Sequence, residues 1–285
     1  MFSRRFTYLR LVVFAGSWLL AACHKQEAAP APPALPEHLT MGNPSGATAD
    51  ATAPANYLLL KPQYALSYHR DRGVPNWVSW HLDASWLGSG PRQDDFRPDP
   101  ELPAAWYHVG ASSYSGSGFD RGHNCPSADR TRTVADNSAT FLMTNMMPQA
   151  PRLNQQTWAN LEDYCRTLVG QGNELYIVCG SYGRGGTGTN GYLTTLDQGR
   201  VTVPAHCWKV VVVLPAGADD ARRVAASTRV IAIDTPNDNA VSTAWGTYRT
   251  SVDAIEAATG YDLLSAVPAA VQQVVEARVD TGPLN

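Results

Sequence analysis

The sequence lacks an excess of positive charge, an apolar run long enough to span a membrane, and the motif of a phosphate-binding loop. Only 16% of its 285 residues are charged and the formal net charge is −3, so the chain cannot bind a polyanion through a global positive field. The N-terminal apolar run, residues 11–20, is too short for a typical transmembrane helix. The glycine-rich stretch 180–188 lacks the Gly-Lys-Ser/Thr ending of a phosphate-binding loop and is interpreted as a flexible hairpin.

Cysteine is also scarce, with five residues in the chain. Their spacing provides no C-x-x-C pair, since Cys165 and Cys179 are fourteen residues apart, and this argues against a zinc site. With Cys23 set aside, Cys125, Cys165, Cys179 and Cys207 are an even set. They could form two disulfides in an oxidising compartment, in any of three pairings.

The N-terminus has the layout of an export signal. Three arginines precede the apolar run, and residues 20–23 read Leu-Ala-Ala-Cys, which resembles a bacterial lipobox. We therefore predict a lipoprotein signal peptide over residues 1–22 and a lipidated Cys23. The exported protein would be anchored to the bacterial cell envelope, with the outer membrane favoured and the domain periplasmic or surface-exposed. An ordinary secretory signal is the alternative, and it also exports the chain. Removal of the three arginines leaves a net charge of about −6.

The mature chain divides into a linker and one domain. Residues 23–55 are rich in Ala, Pro, Thr and Gly with few large apolar residues, which predicts a flexible tether. Residues 56–285 have the size of one large domain, and the eight tryptophans of the chain suffice for a sizeable core.

Local patterns within the domain predict strands and then helices. Clusters of strand-forming residues predict strands at 57–60, 64–69, 77–82, 140–144 and 224–233. Prolines and glycines bound a predicted helix over 153–169, and shorter helices are predicted at 251–258 and 269–277. His206 precedes the apolar run 210–214, so a structural role at a strand entrance is favoured over the alternative of a second general base.

The segment 120–130 carries the most informative motif, Asp-Arg-Gly-His-Asn-Cys-Pro-Ser-Ala-Asp-Arg, and it is followed by a second motif over residues 143–162. Together they resemble the DNA/RNA non-specific endonucleases, the sugar-nonspecific branch of the ββα-metal nucleases that includes mitochondrial endonuclease G. The resemblance extends over residues 57–280. It implies an α+β ββα-metal nuclease fold, in which antiparallel β-sheets flank a central helical layer.

His123 is the candidate general base of this motif. A neutral histidine can take a proton from water near pH 7, because its ordinary pKa is about 6.5. The alternative is a core histidine bonded to a backbone carbonyl. The neighbouring Asn124-Cys125 departs from the small apolar residues of many relatives; Cys125 is either bridged, which staples the loop, or an oxidisable thiol beside the site.

A polar row on the predicted helix supplies the candidate metal site. Asn154, Trp158, Glu162 and Arg166 recur every four residues and therefore lie along one side of a helix. Mg²⁺ prefers oxygen ligands and keeps several waters. The resemblance implies that Asn154 is the sole direct protein ligand of Mg²⁺ and that Glu162, also catalytic, orders metal-bound water. Mn²⁺ or another divalent cation could substitute. The alternatives are a helix N-cap for Asn154 and a solvated helix face for the row.

Arginines suit phosphate because the guanidinium stays charged and offers paired donors. Arg121, Arg166 and Arg92 are the candidates for binding substrate phosphate, and Arg121 is also assigned to catalysis. Asp120 is interpreted as holding Arg121 or the local backbone, and Asn145 as a hydrogen-bonding support beneath His123.

The predicted function is metal-dependent endonucleolytic hydrolysis of DNA and RNA with little sequence specificity, because phosphate contacts carry no sequence information. The resemblance implies 5′-phosphate products. The alternatives are a catalytically silent nucleic-acid-binding lipoprotein and a phosphodiesterase that acts on small nucleotides.

Overall fold

A computed structural model describes Met1, Phe2 and residues 36–284. The predicted signal peptide beyond its first two residues, the lipidated Cys23 and the linker up to residue 35 lie outside the described residues. Within the described part, no helix is both long enough and apolar enough to cross a bilayer.

A seven-stranded antiparallel sheet is the centre of the structure, and three two-stranded ribbons accompany it. In chain order the strands are β1 Tyr57–Leu60, β2 Ala65–His69, β3 Val74–Leu82, β4 Asp120–His123, β5 Met146–Gln149, β6 Asn173–Tyr182, β7 Gly186–Gly188, β8 Gly191–Leu193, β9 Thr195–Leu196, β10 Val201–Thr202, β11 His206–Pro215, β12 Arg229–Pro236 and β13 Arg249–Thr250. The main sheet has the order β1-β2-β3-β6-β11-β12-β13, and the ribbons pair β4 with β5, β7 with β8 and β9 with β10.

The helices pack on both faces of the main sheet. They are α1 Val134–Ala139, α2 Ala159–Gly170, α3 Asp220–Arg223, α4 Val252–Thr259 and α5 Ala269–Val275; a π-helical segment, Leu153–Trp158, leads into α2. Side chains alternate between the faces of a strand, so Val211 of β11 joins one hydrophobic core, whereas Val210 and Val212 join another. The first core includes Leu161 of α2, and the second includes Ile255 of α4. The α+β class with antiparallel sheets is therefore confirmed. The order of the layers differs from the expected one, because the large sheet lies between the helices, whereas we expect a helical layer between sheets.

The domain begins earlier than the predicted boundary at residue 56. Leu39, Met41 and Ala47 are buried in the second core, and the indole nitrogen of Trp77 donates to Ser45 Oγ at 2.8 Å. A few apolar side chains suffice to hold this segment, because the face of the sheet that carries Trp77 and Val178 belongs to the same core. Residues 36–55 are therefore part of the folded domain, in contrast to the flexible linker expected from their composition.

Most predicted elements are present, with two local differences. The predicted strands at 57–60, 64–69 and 77–82 are β1, β2 and β3, and the predicted helices are the π segment with α2, then α4 and α5. The strand prediction for 140–144 is wrong, because this buried stretch packs without forming a ladder and the strand follows as β5. The strand predicted at 224–233 is β12, which starts at Arg229. His206 is the first residue of β11, as predicted; it stacks on Tyr182 and contacts Asp234 at 3.0 Å.

The four cysteines within the domain are free thiols and all are buried, so the two possible disulfides are not formed. Cys179 Sγ donates to Asn124 Oδ1 at 3.3 Å. Burial raises the pKa of the Cys125 thiol to about 12. Cys125 is consequently a packing residue of the loop after His123, neither a staple nor a readily oxidised thiol.

Candidate active site

Two short strands and a helix build the candidate active site. β4 pairs antiparallel with β5, so that His123 lies opposite Met146 and Asp120 lies opposite Gln149. Position 122 has no room for a larger side chain, because a Cβ there would lie 2.0 Å from Oε1 and 2.7 Å from Cγ of the buried Gln149. The chain then enters the helical segment that carries the second motif.

A cavity of about 160 Å³ forms where these elements meet. Its lining includes five of the predicted site residues, namely Arg92, Arg121, His123, Asn154 and Glu162. A contiguous cleft of about 360 Å³ shares Arg92, Arg121 and Asn154 and opens towards Phe119 and Gln155. Residues up to seventy positions apart in the chain are thus brought to one place.

His123 is held by aromatic side chains. Its ring meets the rings of Phe96 and Phe141 edge-on, at centroid distances of 5.6 and 4.9 Å. Burial, reinforced by the cations of Arg92 and Arg121, lowers the pKa of His123 to about 3. Its buried Nε2 atom has no hydrogen-bond partner among the described residues. The ring is therefore neutral near pH 7, and its Nε2 is not satisfied by a backbone carbonyl as a core histidine would be.

Asn154 is positioned by Asp120. The backbone amide of Asn154 donates to Ala150 O within the helical segment, so the N-cap alternative does not apply. Its side-chain nitrogen donates to Asp120 Oδ2 at 2.8 Å, as does the side-chain nitrogen of Gln155. This arrangement leaves the amide oxygen of Asn154 available as a ligand, since no described residue donates to it. Asp120 therefore holds Asn154, whereas we expected it to hold Arg121 or the backbone.

Glu162 has a partner that sequence reasoning missed. Lys209 of β11 is 1% exposed, and its ammonium lies 3.1 Å from Glu162 Oε1. The same ammonium lies 4.4 Å from the ring centroid of Trp158 and 5.5 Å from that of Trp80. The sequence does contain one indication of this contact, which is that Lys209 directly precedes the apolar run 210–214. A charge in such a strand needs a buried counter-charge.

The titration of this pair reflects burial and mutual attraction. Burial is the largest single effect and would lower the pKa of Lys209, but Glu162 together with Cys179 and Cys165 raises the pKa overall, so the ammonium stays charged. Burial raises the pKa of Glu162, and Lys209 opposes that shift. Lys209 therefore both orients Glu162 and favours its ionised form.

Two of the three predicted arginines face the cavity. The Arg121 guanidinium lies over the ring of Phe96 at 4.1 Å, and that of Arg92 lies over Phe141 at 4.9 Å. The aromatic pair that holds His123 thus also supports both cations. Arg166 is not in the cavity lining; it pairs with Asp129 at 2.7 Å and with Asp163.

Asn145 supports the loop after His123, and it makes no direct hydrogen bond to the ring. Its side-chain oxygen accepts from Cys125 N at 3.0 Å, and its side-chain nitrogen donates to the carbonyl oxygens of Cys125 and Thr140 at 2.8 and 2.9 Å. Being fully buried, it fixes the direction in which the chain leaves β4.

A neutral histidine beside two arginines, an amide oxygen and a carboxyl group is an arrangement suited to phosphate-ester hydrolysis. Comparisons with known proteins agree. The family model described as DNA/RNA non-specific endonuclease matches residues 42–270. A nuclease of Nostoc sp. (strain PCC 7120) is 54% identical over 248 residues, which covers 87% of this chain and 88% of that protein. Human mitochondrial endonuclease G is 36% identical over 165 residues, covering 55% of this chain and 54% of that protein.

A comparison of folds finds a similar solved structure. A chain in the crystal structure of the EndoG/EndoGI complex superposes with a TM-score of 0.67 at 22% identity, covering 84% of this chain and 95% of that one. The chain belongs to the DNA/RNA non-specific endonuclease family. It is a nuclease, a hydrolase of the phosphodiester bonds of DNA and RNA.

Proposed function

We propose that the enzyme hydrolyses DNA and RNA with little sequence specificity. The reaction uses a divalent cation, preferably Mg²⁺, and His123 is the general base. The observation that carries this proposal is the single cavity that His123, Asn154, Glu162, Arg121 and Arg92 line together. Each residue supplies a different need of phosphodiester hydrolysis.

The donor atoms fit a magnesium ion. Asn154 offers an amide oxygen that Asp120 orients, and Glu162 offers a carboxyl group that Lys209 anchors. Mg²⁺ prefers such oxygen ligands and usually takes only one or two groups from the protein. Asn154 would hold the ion directly and Glu162 through water. The ion would stabilise the charge on the phosphate and on the leaving oxygen.

The proton-transfer step falls to His123. An unprotonated ring nitrogen of His123 takes a proton from a water molecule, and the water oxygen forms a bond to phosphorus. The bond from phosphorus to the 3′ oxygen breaks, and that oxygen takes up a proton from solvent, which leaves a 3′-hydroxyl and a 5′-phosphate. The lowered pKa of His123 keeps the ring unprotonated over the neutral range.

Arg121 and Arg92 bind the phosphate under attack. Both guanidinium groups lie on aromatic rings at the cavity wall, which restricts their motion before substrate binds. Because the chain as a whole is acidic, these local cations carry the electrostatic attraction, and we expect cleavage to weaken as salt rises. Arg166 acts indirectly, by holding Asp129 near the helix that bears Glu162.

The test is cleavage of supercoiled plasmid and of RNA by the full-length protein with Mg²⁺ or with EDTA, comparing the parent with His123→Ala and Asn154→Ala. We expect cleavage of both polymers to require the cation and to fall by a factor of about 10²–10⁴ without the base. Retardation of DNA in a gel without cleavage would instead indicate a binding protein. Hydrolysis of dinucleotides alone would indicate a small-substrate phosphodiesterase.

We also propose that the enzyme is exported and anchored to the cell envelope through a lipid on Cys23. The support is the sequence of residues 1–23. Metabolic labelling with a radioactive fatty acid tests this, with Cys23→Ser as the control. Label that persists in Cys23→Ser would contradict lipidation at this position.

A further inference from the structure

Three carboxyl groups converge at a second place in the molecule, away from the candidate active site. Asp253 and Glu256 belong to α4, and Glu276 directly follows α5. One carboxylate oxygen from each lies within 4.8 Å of the others. We propose that Asp253, Glu256 and Glu276 form a calcium-binding site that joins α4 to the end of α5.

Glu276 provides an observation independent of the clustering. It is only 6% exposed, and its Oε1 atom is buried without a hydrogen-bond partner among the described residues. A buried carboxylate oxygen without a donor costs free energy comparable to a lost hydrogen bond or more. A cation bound between the three groups would give the Glu276 carboxylate a partner.

The charges around Glu276 also call for a cation. None of the ion pairs found in the described residues involves Asp253, Glu256 or Glu276. The side chain of Glu256 is already oriented, because its Oε1 accepts from Leu263 N at 2.7 Å.

The ligand chemistry selects the ion. All three side chains offer oxygen only, which favours a hard cation over zinc or copper. Calcium takes six to eight oxygens in flexible geometry, whereas magnesium demands a near-ideal octahedron. Carboxylates that come from α4 and from the residue after α5 match the tolerant coordination of calcium better.

Such an ion would stabilise the C-terminal part of the domain. The backbone amide of Asp253 already donates to Glu276 O at 3.1 Å, and Val252, Ile255 and Val275 are buried in the second core. A cation would cross-link the same two elements. Because α4 packs in the second core and α2 in the first, the site is distinct from the catalytic cavity.

The test measures calcium binding where the catalytic cavity cannot contribute. Full-length protein carrying Asn154→Ala is titrated with CaCl₂ by calorimetry, and its melting temperature (Tm) is measured in CaCl₂, in MgCl₂ and in EDTA. We expect one calcium site and a rise in Tm of about 5–10 °C at a hundred-fold excess over Kd. An equal concentration of MgCl₂ should raise Tm less.

The second variant is Glu276→Gln in the same background, and Asp50→Asn, an exposed acid elsewhere, is the matched control. Glutamine preserves the shape and removes the buried charge, so in EDTA this variant should melt at the parent temperature or above it. It should bind calcium at least about ten-fold more weakly and lose most of the shift. A calcium shift that is absent in the Asn154→Ala protein, or unchanged by Glu276→Gln, overturns the proposal.

Discussion

Lys209 is the residue whose substitution tests the architecture of the active site most directly. We predict that Lys209→Met weakens the apparent affinity for the catalytic cation and destabilises the fold. The ammonium is 1% exposed and contacts Glu162 at 3.1 Å. Removing one partner of a buried ion pair costs about 3–5 kcal/mol. Glu162 is 14% exposed and can take up a proton once Lys209 is gone, so we expect the lower end, about 3 kcal/mol of unfolding free energy.

The functional effect follows from the same contact. Without Lys209, Glu162 loses its anchor and favours the neutral acid, which is a poor partner for a cation. Groups that orient a ligand of a metal typically account for about 10–100-fold in affinity or activity. We therefore expect the Mg²⁺ concentration for half-maximal plasmid cleavage to rise about 10–100-fold.

Lys61→Met is the matched control. Lys61 is 2% exposed and pairs with the buried Asp99 at 2.9 Å, but neither residue lines the cavity. Urea denaturation should show a comparable loss of stability in both variants, whereas the Mg²⁺ dependence of cleavage should change only for Lys209→Met. If both variants show the same Mg²⁺ dependence, the reasoning that Lys209 acts through Glu162 is refuted.

Three further predictions concern β4 and its neighbours. The pKa of His123 is about 3 in the folded chain, so between about pH 6.5 and 3 the unfolded chain binds a proton that the folded chain does not. The free energy of unfolding should therefore fall as the pH drops through this window, and in urea denaturation His123→Gln should show a shallower fall than the parent. Gly122→Ala places a Cβ 2.0 Å from Gln149 Oε1 and should cost about 1–3 kcal/mol together with cleavage activity, whereas unchanged denaturation would mean that the ribbon adjusts freely. Asp120→Ala removes the hydrogen bond that orients the side chain of Asn154 and should lower kcat/KM about 10–100-fold. Single-turnover cleavage should show a smaller difference from the parent in saturating Mg²⁺ than at low Mg²⁺.

The motif over residues 120–130 was readable from sequence because its chemistry is local. A strand, a glycine that tolerates close pairing and a histidine follow one another within four residues. The helical placement of Asn154 and Glu162 was likewise predictable, because a period near four positions residues on one side of a helix.

The same periodicity could not show what each residue of the row contacts. Successive members drift by about 40° around the helix, so the row runs from the cavity into the core. Trp158 is consequently 1% exposed, and Arg166 turns to Asp129. The contacts depend on what packs against each sector of the helix, which helical spacing does not encode.

The sequence by itself determined the family, and it supplied the candidate general base, the candidate cation ligands and most strands and helices, because these depend on short-range patterns of residue type. The tertiary structure alone decided the partners of those residues. Lys209 reaches Glu162 from 47 positions away, Phe96 and Phe141 form the wall around His123, and the segment 36–55 packs on the sheet in spite of its composition. Such contacts are set by how the strands register and how the helices pack, so they become visible only once the chain is folded.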